Sequence, residues 1–466
     1  MKSFTKKQWI KFSIAAVLYA LFVLWMQNAW LLLGYILLID IYLTKFIHWS
    51  AWKEVKNPTL RNALDWVDDI VFALVAVYFI NVLFFQNYQI PSSSLEKSLC
   101  VGDYLFVSKL SYGPRIPNTP ISFPLVQNTL PFFNCKSYLD WPLWDYKRVK
   151  GTGHVKRNDI VVFNFPAGDT VALLQQNPDY YSLVKLYGRD EIHRDKRNFG
   201  DVVYRPVDKR ENYVKRCIGM PGDSLEVRDN QVYIDGKALE NPEKMQFNYF
   251  LETKGALLNE EQLRMLGISN DDRTMISDGR QNTGMLDFMG MKKKEDGTYN
   301  PVYHFPLTKE KLELAKKMNL FLDIVIEKDK WAGTTYPVDY ETGWSRDNYG
   351  PIWIPKKGAE IELNERNLGL YHRCIRNYEG NQLDIKEDGT VLINGEKADK
   401  YTFKYDYYWM MGDNRHNSAD SRSWGFVPED HIVGKPIMIW LSLDKDRELF
   451  DGGIRWERMF RWVHKD

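Results

Sequence analysis

Three stretches of this 466-residue chain hold side chains suited to chemistry. The first, residues 89–109, contains Pro91-Ser92-Ser93-Ser94-Leu95. A serine hydroxyl is a weak nucleophile unless a base lies within hydrogen-bond reach, and serine-rich segments after proline are also ordinary surface turns. The second, residues 213–223, opens as Tyr213-Val214-Lys215-Arg216-Cys217-Ile218, a β-type run interrupted by two basic residues. Period-two alternation places Lys215 on one face with Tyr213 and Cys217. Burial on that face disfavours the ammonium, lowers the lysine pKa and makes the amine a base; an edge-strand lysine pointing to water would do nothing. The third, residues 411–428, is dense in Asp413, Asn414, Arg415, Asn417, Ser418, Asp420 and Arg422. Such density suits a hydrogen-bonded loop that holds a geometry, although a solvated turn with local ion pairs has the same composition.

The elements that must position these groups fall into two regimes. Residues 9–26, 30–47 and 66–85 are apolar, with Lys11, Asp40, Lys45, Asp68 and Asp69 as the charged exceptions. Each predicts a membrane-spanning helix of about 18–20 residues. Lys2, Lys6, Lys7 and Lys11 precede the first, and Lys45, Lys53, Lys56 and Arg61 lie around the link between the second and third. The positive-inside rule then makes both flanks cytoplasmic and puts everything after residue 85 on the far side. No small-x-small cleavage site follows residues 1–27, and two more apolar stretches do, so a cleaved signal peptide fits poorly.

Beyond residue 86, short β-type runs alternate with Gly, Pro and Asn turns: 104–108, 159–165, 213–218, 224–228, 231–234, 382–385, 391–393 and 432–440. The pattern predicts a mainly β, antiparallel architecture. Residues 223–237 and 381–397 echo each other as hairpins and frame a region of different character. Within it, 251–276 and 307–318 are expected to be helical, with Asn259 and Thr308 as caps. Residues 113–150 are rich in proline and aromatics, as a packed extended loop or a membrane-surface loop would be. Four divisions are expected: an anchor at 1–86, a catalytic first part at 87–224 with an insertion at 167–212, an inserted α+β cap at 225–404, and a catalytic second part at 405–466. The last carries a C-terminal stretch, 454–463, that alternates basic and apolar residues, as an interfacial segment or a capping helix would.

Taken in order behind a membrane anchor, these segments resemble the bacterial type I signal peptidases, leader peptidases that use a Ser–Lys dyad. The resemblance covers the anchor and residues 88–112, 155–166, 213–223 and 409–445; its most specific part is Gly412-Asp413-Asn414-Arg415-His416-Asn417-Ser418-Ala419-Asp420-Ser421-Arg422. It implies a signal-peptidase-like β domain and hydrolysis of preproteins after small-x-small sites. It also implies Ser94 as nucleophile, Lys215 as general base and Ser92 as a side-chain oxyanion donor. Ser418 would orient the lysine, and Asp420, Arg422 and Arg216 would brace the loop. Ile90, Pro91, Leu95, Tyr213 and Val214 would wall shallow substrate pockets. The sequence departs from the family pattern at Ser93, where glycine is usual, at Leu95 for methionine, and at Lys97 for proline. His416 is not assigned a base role, because lysine fills it.

Charge is balanced, 62 Lys+Arg against 61 Asp+Glu, which argues against a general polyanion binder. The expected partners are secretory preproteins, the lipid bilayer and the export translocon, with no nucleic acid and no cofactor or metal; the expected site is a bacterial inner membrane, with the catalytic domain outside. Cys100, Cys135, Cys217 and Cys374 form no CxxC pair, and a single disulfide stays open. A self-cleaving Ser–Lys regulator fits poorly with three spans and no DNA-binding segment, and a membrane-anchored scaffold fits poorly with intact Ser94, Lys215 and Ser418.

Overall fold

The computed structural model describes residues 5–49, 51–133, 135–276, 283–328 and 335–463. It divides into two units: residues 1–86 with 109–154, and residues 87–108 with 155–466.

The first unit is built on two long apolar helices. Helix α1 (Lys6–Met26) starts in a capping box: Thr5 accepts from the Gln8 backbone N–H while the Gln8 side chain accepts from Thr5. Helix α2 (Pro58–Leu83) starts with Asn57 as cap and Pro58 in the first turn, where its missing N–H costs nothing. At 1.5 Å per residue they are about 31 and 39 Å long, enough for a hydrocarbon core of about 30 Å.

The middle apolar stretch is not the continuous helix expected. Residues Ala29–Thr44 form a shorter, broken helix, with a 3-10 turn (Ala29–Leu33), a helical turn (Gly34–Ile39) and a π turn (Asp40–Thr44). The cause is Asp40, whose carboxylate accepts from Thr44 Oγ1 at 2.6 Å, Phe46 N at 2.7 Å and Trp49 Nε1 at 2.9 Å, closing the helix at Lys45. The segment runs back along α1, with the Tyr19 hydroxyl donating to Leu31 O and the Tyr35 hydroxyl donating to Ala16 O.

Residues 109–154 meet the C-terminal ends of both long helices. Trp25 Nε1 donates to Lys150 O, Lys147 Nζ to Gln27 O, and the Tyr78 hydroxyl to Pro120 O. The two helices therefore run in the same direction, and the chain between them must return. This segment is extended and held by isolated bridges, and it exposes apolar side chains: Phe132 is 98% exposed and Trp141 82%.

The second unit centres on an antiparallel sheet. Its strands are β1 (Phe85–Gln89), β2 (Asp103–Ser108), β3 (Ile160–Asn164), β4 (Asn212–Gly219), β5 (Tyr407–Met411), β6 (Val427–Pro428), β7 (Ile432–Ser442) and β8 (Arg461–Trp462). They are ordered β1-β2-β7-β3-β4-β5-β6, with β8 paired to β7. Register shifts within β2–β7, β7–β3 and β4–β5 are bulges, which bend strands and curl the sheet. The C-terminal stretch is therefore not a capping helix: it adds β8 to this sheet, and Arg458 pairs with the buried Asp103 at 2.6 Å.

The two echoing hairpins form as expected, 224–228 with 231–234 and 383–385 with 391–393. Between them, 251–276 is not one helix. It holds the end of strand Gln246–Thr253, helix Glu260–Leu266 and strand Thr274–Ile276; likewise Val302–Thr308 is a strand and only Lys309–Lys317 is helical. Strand Gln246–Thr253 has a run of hydrophobic and aromatic residues that pairs on both sides, with Val302–Thr308 and Phe321–Ile326, and pairing overrides helix propensity. The caps Asn259 and Thr308 are in place. One hydrophobic cluster joins Ile218 and Trp409 of the main sheet, and Phe426 just before β6, to Leu225, Tyr349, Tyr371 and Phe403, so much of 225–404 shares a core with the sheet. Short helices at Tyr180–Tyr187, Arg189–Arg194 and Lys196–Phe199 fill residues 167–212.

Candidate active site

Ser94 and Lys215 come together although 121 positions apart in sequence. Ser94 lies in a single 3-10 turn (Ser93–Leu95) entered from extended Ser92. Leu95 and Leu99 anchor that turn in an apolar cluster with Ile90, Val107 and Val162. Lys215 sits on β4 opposite Val161 of β3. Its Nζ lies 2.7 Å from Ser94 Oγ and donates to Val214 O at 3.2 Å. The lysine is only 5% exposed.

Burial pushes the Lys215 pKa down from 10.5 to about 8, against the pull of Asp420 and Asp413 in the other direction. As an ammonium the nitrogen donates to Ser94; once neutral, its lone pair accepts the hydroxyl proton. That is the arrangement a serine nucleophile needs. Ser92 Oγ is 3.5 Å from Ser94 Oγ, near enough to serve an oxygen forming on a carbonyl attacked by Ser94.

The loop after β5 fixes this pair. Asn414 donates from its backbone N–H to Ser94 O at 3.0 Å and from its side chain to Ser93 O at 3.2 Å. Asp413 takes both arms of the Arg216 guanidinium at 2.8 and 2.7 Å and accepts from Ser98 Oγ at 2.6 Å. Both members of that ion pair are buried. Asp420 holds Arg422 through two bonds, at 2.9 and 2.8 Å, and accepts from Gly412 N at 3.0 Å. Burial raises the Asp420 carboxyl, but the Arg422 charge and these bonds hold it below its usual value. Arg422 also donates to Arg415 O at 2.6 Å, tying the loop to itself. Gly412 allows the closest approach: a Cβ there would lie 2.3 Å from Ser418 Oγ and 2.6 Å from Ser94 O.

The residues singled out from sequence divide by position. Ser92, Ser94, Lys215, Arg216, Ser418, Asp420 and Arg422 gather in one place. Arg216 braces through Asp413 and not through Asp420. Ser418 Oγ is buried against Gly412 and has no hydrogen-bond partner among the described residues, so it does not hydrogen-bond to Lys215 Nζ here. Ile90 and Leu95 are core residues at 2% and 1% exposure, underlying the site. Pro91 is exposed, Val214 is half-buried at the edge of the same cluster, and Tyr213 stacks on Phe165 at 4.4 Å. His416 is engaged elsewhere, with Asn248 N, Asn230 and Asp347, and burial lowers its pKa. Sequence reasoning assigned no role to Asp413, Asn414 or Ser98; the only signal was the polar density of 412–422. Among the described residues, no group of three or more His, Cys, Asp or Glu side chains is placed to hold a metal. The four cysteines are free thiols, and only Cys135 is exposed.

A family model described as signal peptidase, peptidase S26, matches residues 63–286 and 354–441. The chain belongs to this family. It is similar to the signal peptidase I of Buchnera aphidicola subsp. Acyrthosiphon pisum, 25% identical over 392 residues, which is 83% of this chain and 77% of that protein. It is 24% identical to signal peptidase I of Helicobacter pylori strain J99, over 86% of this chain and 91% of that one, and 22% identical to that of Haemophilus influenzae, over 88% and 79%. The protein is a serine endopeptidase of the signal-peptide-processing class, associated with the membrane through its N-terminal helices.

Because burial lowers the Lys215 pKa to about 8, Lys215 is an ammonium below that pH and a free amine above it, and the expectation that it is the base has a pH signature. The pH profile of kcat/KM should therefore rise with an apparent pKa near 8, tenfold per pH unit on its acid limb. A profile flat from pH 6 to 9 would exclude Lys215 as the base.

Proposed function

We propose that Ser94 attacks the peptide bond at the end of the signal peptide while neutral Lys215 takes its proton. The observation that carries this reading is the 2.7 Å contact between Lys215 Nζ and Ser94 Oγ in a buried setting. Ser92 Oγ and the Ser94 N–H bind the developing oxyanion. Lys215 then returns the proton to the leaving amine, and the acyl-enzyme bond to Ser94 is hydrolysed by a water that Lys215 deprotonates. Ser418, whose Oγ is buried beside Gly412, orients the amine. Asp420, Arg422 and Arg216 act as positioning residues.

The substrate adds as a strand. Strand β4 pairs with β5 only through Arg216–Gly219, which leaves Asn212–Lys215 without a strand partner on that side among the described residues. An extended chain laid along this edge reaches Ser94 with main-chain bonds. Pro91, Tyr213 and Val214 border it, with Val214 packed against the buried cluster of Ile90 and Leu95; an apolar border of this kind suits small side chains. This supports cleavage after small-x-small sequences. Residues 225–404 are then an accessory cap around the sheet.

The parallel run of α1 and α2 supports a membrane placement. A return between them, carried by Ala29–Thr44 with Lys45 reaching for the interface, gives three passes and a catalytic unit on the side opposite the N-terminal lysines. The exposed Phe132, Phe133, Leu125 and Trp141 suit contact with lipid. An outer face of a bacterial inner membrane, beside the translocon that delivers preproteins, is the setting this arrangement fits.

Ser94→Ala and Lys215→Ala should each lower cleavage of a preprotein by at least about 1,000-fold, since removing either half of such a pair leaves only binding and oxyanion terms; full activity of Lys215→Ala would place the base elsewhere. Orientation has its own check. In a Cys135→Ser background the remaining thiols are buried, so Asp388→Cys, on an exposed turn, is the sole accessible thiol. A membrane-impermeant thiol reagent should label it from outside in intact spheroplasts; labelling only in inverted vesicles would reverse the topology.

A further inference from the structure

A second concavity begins where the nucleophile segment ends. A groove of about 670 Å³ is lined by Pro91, Ser92 and Ser93 at one end, by residues 260–273 along one wall and by residues 444–447 with Arg455 along the other. Its volume is that of a ligand-sized cleft. Its lining holds six acidic and six basic residues. Many are already paired across or along the walls, Arg273 with Glu260 at 2.8 Å and Arg455 with Asp444 at 3.5 Å, while Lys445 pairs with Asp271. Arg264 is exposed and has no carboxylate partner among the described residues. The two walls are tied to the catalytic turn: Lys97 Nζ donates to Gly267 O at 2.8 Å, capping the C-terminus of helix Glu260–Leu266, and Asp446 accepts from Asn270 N at 2.9 Å.

We propose that this groove binds the mature segment of the preprotein, the residues that follow the scissile bond. The inference rests on the Ser94–Lys215 reading. The substrate must cross Ser94 with an apolar, small-residue side and a polar side. The apolar side matches Val214, which packs against the buried cluster of Ile90 and Leu95. The groove is its polar counterpart and is continuous with Ser92 and Ser93. An excess of one charge would select a lipid headgroup or a nucleic acid. Equal numbers of both signs, largely self-paired, instead accept the varied polar sequences with which exported proteins begin. Residues 260–273 of the inserted region thus become part of substrate binding, and unpaired Arg264 favours acidic residues early in the mature chain.

The test uses the full-length enzyme and a peptide set with one leader and one junction. The mature portion is lengthened from two to about six residues, roughly 20 Å of strand, and made acidic, neutral or basic. Wild-type kcat/KM should rise with length and be higher for the acidic than for the basic series. In Arg264→Glu the acidic-to-basic ratio, each normalised to the peptide ending after two mature residues, should fall about tenfold or invert. A photo-crosslinker at the fourth mature position, with Ser94→Ala enzyme holding the uncut peptide, should mark residues 260–273 or 444–447. If the ratio does not move and crosslinks fall elsewhere while Ser94→Ala is inactive, the groove assignment is wrong and the dyad stands. If Ser94→Ala still cleaves, the reading beneath the proposal fails first.

Discussion

The structure depends on keeping one lysine dry. An ammonium in water has no reason to give up its proton at neutral pH, and a serine hydroxyl has no reason to yield one to it. Placing Lys215 inside the sheet changes the first condition, and setting its nitrogen 2.7 Å from Ser94 Oγ answers the second. Burial is the dominant influence on its pKa, and the nearby Asp413 and Asp420 pull it back up. The site can keep those acids so close because each is already committed to an arginine, Arg216 or Arg422. Their charges are spent in the ion pairs and do not stabilise the ammonium as fully as bare carboxylates would.

The same ion pairs explain why the loop after β5 is rigid. Arg216 neighbours Lys215 on β4 but points to the opposite face. One face thus brings the Lys215 amine to Ser94, and the other clamps the loop that carries Asn414. Asn414 in turn fixes the backbone of Ser93 and Ser94. Removing either member of the buried Arg216–Asp413 pair would leave an unpaired charge, at a cost of about 3–5 kcal/mol. The Ser94 turn, the lysine strand and the loop are therefore one mechanical object, in which Gly412 brings the loop against Ser94 and Asp413 ties it to the lysine strand.

Local signals made much of this legible in the sequence. Alternating strands bounded by Gly and Asn turns appear almost where expected, because the turn chemistry at Asp235-Gly236 and Asn394-Gly395 is local. The caps Asn259 and Thr308 are legible for the same reason. Non-local effects were not. The middle apolar stretch is shortened by Asp40 bonding to groups up to nine residues away. The strand Gln246–Thr253 owes its form to partners about 50–77 residues distant. At the site, the gathering of Ser94, Lys215, Arg216, Asp420 and Arg422 in one place was legible through motif order. Asp413 and Asn414 carried no assignable role, since their partners lie about 200 and 320 residues earlier. The open state of Ser418 Oγ was equally invisible.

The most direct test of the account is the ionisation of Lys215 itself. Lysine labelled with 13C at Cε can be titrated by NMR in the intact enzyme in detergent micelles, with Lys215→Met identifying the signal. The account predicts one lysine titrating near pH 8 and shifting on Ser94→Ala, because the hydroxyl is its hydrogen-bond partner. A Lys215 signal that titrates near 10.5 and ignores Ser94 would contradict it.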